Sequence, residues 1–238
     1  MIAMRFHPTL RHWALAALLA IPTGASSMPS AFPDGATPPM KPLASSNVKN
    51  CGLTLSYPAL KNSYDEDIAL NCIGSYKEAH GTSLGIDYSR YPNDPERTSR
   101  FISMEINPVG IDDWLAADKE HDAAFEQTSN GVRLLPKYSF GNECHNLLRT
   151  LIKPISGSNW HGWIAEEVYG KASNRGNNDY CRIYAPKNRC VHLLVGNKKM
   201  SVELTGACLL RKKTTNLDEG FSYDFFMQMI KSIRFNEE

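Results

Sequence analysis

No stretch of this 238-residue chain is long and apolar enough to cross a bilayer as a helix: the longest apolar run, Trp13 to Ile21, has nine residues, against the ~20 that a spanning helix needs. Neither sign of charge is in excess, with 26 Lys and Arg against 25 Asp and Glu, so there is no electrostatic footprint for nucleic acid or an anionic membrane surface. The chain lacks H-E-x-x-H, the G-x-x-x-x-G-K phosphate loop and any C-x2-C pair, which excludes the common zincin, P-loop and zinc-ribbon readings. Neither a metal nor another cofactor is therefore expected.

What is present begins with an export address. Arg5 and Arg11 precede the run WALAALLAI, which Pro22 and Gly24 end, and Ala25 and Ser27 stand where signal peptidase needs small side chains. Cleavage is expected after Ala25 or Ser27, leaving a periplasmic or secreted product without stable membrane insertion. Loss of Arg5 and Arg11 leaves 24 basic residues against 25 acidic. Residues 1–27 thus read as a signal peptide. Residues 28–50, with prolines at 29, 33, 38, 39 and 42 and no hydrophobic period, read as a disordered tether. One domain is expected over 51–238.

An exported chain with an even cysteine count reads first as disulfide-bonded, and the candidates are Cys51, Cys72, Cys144, Cys181, Cys190 and Cys208. Sequence separation favours Cys51 with Cys72 and Cys181 with Cys190, leaving Cys144 for Cys208. A tight loop at Pro186 to Arg189 would set Cys181 several rungs from Cys190, so that second pair needs a wide loop.

Period-2 patterns place strands at Leu53–Tyr57, Ile68–Ile73, Thr82–Tyr88, Phe101–Ile106, Leu147–Ile152, Trp163–Tyr169, Tyr180–Tyr184, Cys190–Val195 and Met200–Leu204. A helix is expected from Ile111 to about Gln127, with Asp112 and Asp113 at its positive end and Ile111, Trp114, Leu115, Ala124 and Phe125 buried. A second runs from Phe221 to Lys231 into a short last strand at Ser232–Phe235. Gly196-Asn197 reads as a two-residue hairpin turn. That register sets Val195 opposite Lys198, Leu193 opposite Met200 and Val191 opposite Val202, giving one apolar face. The other face holds His192 opposite Ser201 and Cys190 opposite Glu203, and is partly polar or covered by a loop. The order strands, helix, strands, helix argues an α+β fold on an antiparallel sheet of about seven to nine strands flanked by two main helices.

The opening Gly52-Leu53-Thr54-Leu55-Ser56-Tyr57-Pro58, the hairpin Val191 to Leu204 and the ending Phe225-Phe226-Met227-Gln228-Met229-Ile230-Lys231-Ser232-Ile233-Arg234-Phe235 resemble the PsbP-like superfamily. The resemblance implies an α/β/α sandwich and a binding or accessory role, and brings no catalytic residue with it.

Chemistry-bearing neighbours are few. Cys144-His145 would point to opposite sides of an extended segment, and disulfide formation is the simpler use of Cys144. Gly157-Ser158 sits in a turn with no nucleophile-elbow context. Glu166-Glu167 and Asp112-Asp113 are adjacent carboxylates, pointed apart and read as solvated. The most suggestive segment is Ser156 to Trp163, where Trp160, His161 and Trp163 share a glycine-rich turn, because exposed tryptophan marks contact sites. The opposing reading puts Trp160 and Trp163 in the sheet's core. Lys171 to Asp179 would project beside it and adds Asn174, Arg175 and Asn178. The expected function is a non-enzymatic exported domain that binds another protein, with an immunity or inhibitor protein against a toxin reaching the periplasm as the specific form. The alternatives are a hydrolase or carbohydrate-acting enzyme, or a structural envelope accessory protein.

Overall fold

Ile102, Met104 and Ile106 alternate with Phe101, Ser103 and Glu105, and the alternation becomes geometry: the first set is buried and the second exposed. The computed structural model that shows this describes residues 37–62, 65–77, 81–87, 101–116, 123–142, 146–170 and 188–236. In chain order its elements are β1 (Met40–Pro42), α1 (Ser45–Cys51), β2 (Leu53–Thr54), β3 (Ser56–Pro58), β4 (Ala69–Ile73), β5 (Thr82–Asp87) and β6 (Phe101–Asn107). There follow α2 (Ile111–Ala116), β7 (Phe125–Thr128), β8 (Gly131–Leu134), two 3-10 turns at Pro136–Tyr138 and Phe140–Asn142, β9 (Leu147–Ser156) and β10 (His161–Tyr169). The chain continues through β11 (Asn188–Gly196), β12 (Ser201–Leu210), α3 (Tyr223–Lys231) and β13 (Arg234–Phe235).

Seven strands form one antiparallel sheet in the order β4-β5-β6-β12-β11-β10-β9, so the expected α+β class holds. Against one face packs the main core, where Phe225, Phe226, Met229 and Ile230 of α3 meet Leu84, Ile86, Ile102, Met104, Ile106, Leu193, Val195 and Val202. On the other face a second core forms over β10 to β12 from Ile111, Trp114 and Leu115 of α2, together with Ala124, Phe125 and Leu134. Pro154, which has no N–H for a ladder, lies in the edge strand β9. No helix among the described residues is long and apolar enough to cross a membrane.

Four expectations need correction. Folded structure starts before Cys51, because β1 pairs with β3, Leu43 is buried and α1 covers 45–51; residues 37–50 are thus not all tether. The helix expected from Ile111 to Gln127 is described as α2 over Ile111–Ala116, and Phe125 to Gln127 belong instead to β7, paired with β8 across Ser129-Asn130. Gly131, opposite Thr128 at the start of β8, takes a positive φ of 116° that favours glycine.

The β11–β12 hairpin turns at the expected place with a longer loop. Asn197 Oδ1 accepts from the backbone N–H of Lys199 and Met200, and Asn197 N–H donates to Met200 O, so the side chain closes a four-residue loop. Val195 consequently faces Val202 and Leu193 faces Leu204, four residues beyond the expected partners. An even slip leaves every side chain on its expected face. A bulge between Val191 and Leu193 then adds one residue, and Cys190 faces Cys208.

That five-residue total explains the fourth correction. Cys190 bonds to Cys208, not to Cys181, which removes Cys208 as the partner of Cys144. The Cys51–Cys72 bond is as expected and ties the end of α1 to β4. Cys144, Cys181 and the strand expected at Tyr180–Tyr184 lie outside the described residues.

Candidate functional site

Because successive residues of a strand point to opposite faces, β10 sends Glu166 to one side of the sheet and Glu167 to the other, and both are buried. This corrects the solvated reading of the pair; Asp112 and Asp113 do stand in solvent. A carboxylate held out of water needs partners, and each has recruited a different set.

Around Glu166 stand three cations. Lys153 Nζ lies 3.7 Å from Oε2, Arg189 Nε 3.6 Å and Arg211 Nη2 3.5 Å from Oε1. Lys153 comes from β9, two residues beyond Leu151, the partner of Glu166, Arg189 comes from β11, and Arg211 follows β12. The Arg189 guanidinium also lies over the Tyr223 ring, 4.3 Å from its centre, at the start of α3. Burial raises the Tyr223 hydroxyl above its ordinary pKa, Arg189 opposes the shift and Glu166 adds to it.

Glu167, on the other face, is completely buried. Its Oε1 accepts from the Ser139 hydroxyl, and its Oε2 from the Tyr169 hydroxyl at 2.7 Å and the Phe140 N–H at 3.2 Å. His192 Nε2 lies 3.5 Å from Oε2, with Nδ1 against Thr205 O and the ring 5.0 Å from that of Phe140. His192 is the single residue that the bulge sets opposite two, Thr205 and Gly206. Burial pushes the Glu167 carboxyl up, but His192, Ser139 and Tyr169 together outweigh it, and the net pKa lies below the usual carboxylate value. A third buried carboxylate, Glu203, accepts from Trp114 Nε1 at 2.9 Å and from Ala124 N–H. Glu203 thus supports the second core, and Glu167 supports a small third cluster on the same face, where Tyr169 and Cys190 pack with Phe140, Leu147 and Cys208.

The tryptophan turn is not the exposed platform the sequence suggested. Trp160 is 5% exposed, belongs to the main core and donates Nε1–H to Ile233 O at 2.8 Å. Trp163 is half-buried against the second core. His161 is exposed, 3.9 Å from Asp112 and edge-on to Trp163. Asn174, Arg175 and Asn178 lie outside the described residues.

Sequence reasoning missed Ser139, Tyr169, Arg189 and Arg211. The available signal was two glutamates inside an otherwise apolar strand, which call for buried partners. It also passed over Gly81-Thr82-Ser83-Leu84-Gly85, which spells G-x-S-x-G. That motif serves a nucleophile only on a strand-to-helix elbow. Here Ser83 is within β5, paired with Ile73 and Glu105, and the strand continues past Gly85. Among the described residues no group of three or more His, Cys, Asp or Glu could hold a metal ion. No family model, curated protein or solved structure matches the chain.

Proposed function

We propose that the chain is an exported protein-binding domain without catalytic activity, and specifically an immunity or inhibitor protein that neutralises a toxin reaching the periplasm. The observation that carries the choice of binding over catalysis is the use made of the buried carboxylates. General acid–base chemistry requires a carboxyl group facing a substrate. Glu167 and Glu203 are committed to hydrogen bonds that hold packed side chains on the second face, while Glu166 faces away from both and is held among cations. The leader sequence and the disulfides support an oxidising destination. The antiparallel sheet with α1 and α3 on one face and α2 on the other supports the likeness to PsbP-like accessory proteins.

The test uses the mature chain as bait in envelope extract, followed by reconstitution with the purified protein it captures. A stoichiometric complex that blocks the captured protein's toxicity is the expected result. Turnover of a small substrate that disappears in Glu166→Gln or Glu167→Gln would assign the domain to the enzymes instead.

A further inference from the structure

The cations around Glu166 exceed what one carboxylate needs. Lys153, Arg189 and Arg211 share it at 3.5 to 3.7 Å, distances too long for the tight two-pronged pairs that guanidinium and carboxylate form when free to do so. The donors are correspondingly underused. Arg211 spends Nε on Asn188 O and Nη2 on Glu166, whereas the buried Nε of Arg189 has no hydrogen-bond partner. Arg149 belongs to the same face of β9, since it pairs with Val168 as Leu151 does with Glu166. Among the described residues, Asp224 in the first turn of α3 is a second carboxylate whose charge reaches Tyr223, and the four cations outnumber it and Glu166 together.

The arrangement is also open on one side. Glu166 lies at the bottom with its side chain 8% exposed, whereas those of Arg189, Arg211 and Lys153 are 33%, 35% and 58% exposed. The Tyr223 ring, 4.3 Å from the Arg189 guanidinium, already restrains it, which reduces the ordering cost when it takes a ligand. We propose that Lys153, Arg189 and Arg211 form a carboxylate-recognition site that receives an acidic segment of the partner protein, with Glu166 keeping the cations gathered in its absence. The proposal rests on the reading of the chain as a protein-binding domain and adds the chemistry of one contact.

The site is tested on the full mature chain with a fluorescent poly-glutamate peptide at low salt, with poly-glutamine as the neutral control. The expected result is binding of the acidic peptide alone, weakened about threefold in Lys153→Gln, the scale of one exposed ion pair, and about tenfold in Arg211→Gln. The melting temperature of Lys153→Gln should match the parent's, because that side chain is largely in solvent. Glu166→Gln should bind the peptide more tightly, since it removes the competing anion; a cluster that serves stability alone would not gain affinity. Equal affinity of the parent and Lys153→Gln overturns the proposal. So does stronger binding of inorganic phosphate or phosphatidylglycerol vesicles with the same dependence on Lys153 and Arg211, which would assign the site to phosphate groups. Loss of the peptide result while the captured complex persists removes only the acidic contact; loss of the complex itself removes the protein-binding reading.

Discussion

In the β4-β5-β6 half of the sheet one face is packed and the other meets solvent: Leu70, Leu84, Ile86, Ile102 and Met104 are buried, while Asn71, Ile73, Ser103 and Glu105 are exposed. In β12-β11-β10 both faces are covered, and Val191, His192, Leu193, Leu194 and Val195 are buried in succession. The first arrangement tolerates polar residues at every second position without further provision. The second does not, so Glu166, Glu167, His192 and Glu203 each require a constructed environment. Covering the second face therefore converts surface residues into structural ones, and the two halves should respond differently to the same substitution.

The largest effects belong to the doubly covered half and the helix beneath it. Phe225→Ala and Trp160→Ala should each cost about 3 to 5 kcal/mol, the usual range for large buried aromatics, measured by chemical denaturation. A Trp160→Ala variant as stable as its parent would return Trp160 to the surface and restore the exposed-turn reading. Next comes Glu167→Ala, which strands the Ser139 and Tyr169 hydroxyls without their common acceptor, removes the carboxylate beside His192 and should cost about 3 kcal/mol. The matched substitution Glu105→Ala in the open half should stay within about 0.5 kcal/mol. Equal costs at the two glutamates would dissolve the distinction between the halves.

Glu167 also predicts a dependence on pH. Its pKa is lower folded than unfolded, so its contribution is fully present above the unfolded carboxylate value of about 4.3 and is lost as pH falls through the folded value. Melting temperatures taken from pH 6 down to pH 3 should fall more steeply for the parent than for Glu167→Gln. The smallest effect is expected at Phe101, half-exposed on the open face, where its ring lies over Gly85 and fills the space a side chain there would take. Phe101→Ala should cost about 1 kcal/mol or less.

The same contrast decides what could be read from the sequence. Alternation was visible wherever one face is wet, and β5 and β6 followed from it. In β11 the largely apolar run gave the strand but not its pairing, which depended on one Asn side chain closing a loop and on a bulge at His192. Local spacing carries neither. The partners of Glu166 come from residues 13 to 57 positions away, Lys153 to Tyr223, and only the sheet order brings them together. Trp160 illustrates the reverse: its glycine-rich neighbourhood suggested a surface loop, whereas the acceptor that makes its burial affordable, Ile233 O, lies near the other end of the domain.

That last contact is one of a group. β13 pairs with β2, the Ser232 hydroxyl bridges the backbone N–H and O of Ser56, and Asn159 bonds both the N–H and O of Phe235. Residues 232 to 236 thus act as a latch between the earliest strands and the centre of the chain. Its contacts span nearly the whole domain, and contacts of such long sequence separation form late and slowly. None can form until residue 232 has been synthesised. A nascent chain therefore lacks this latch during almost all of its translation.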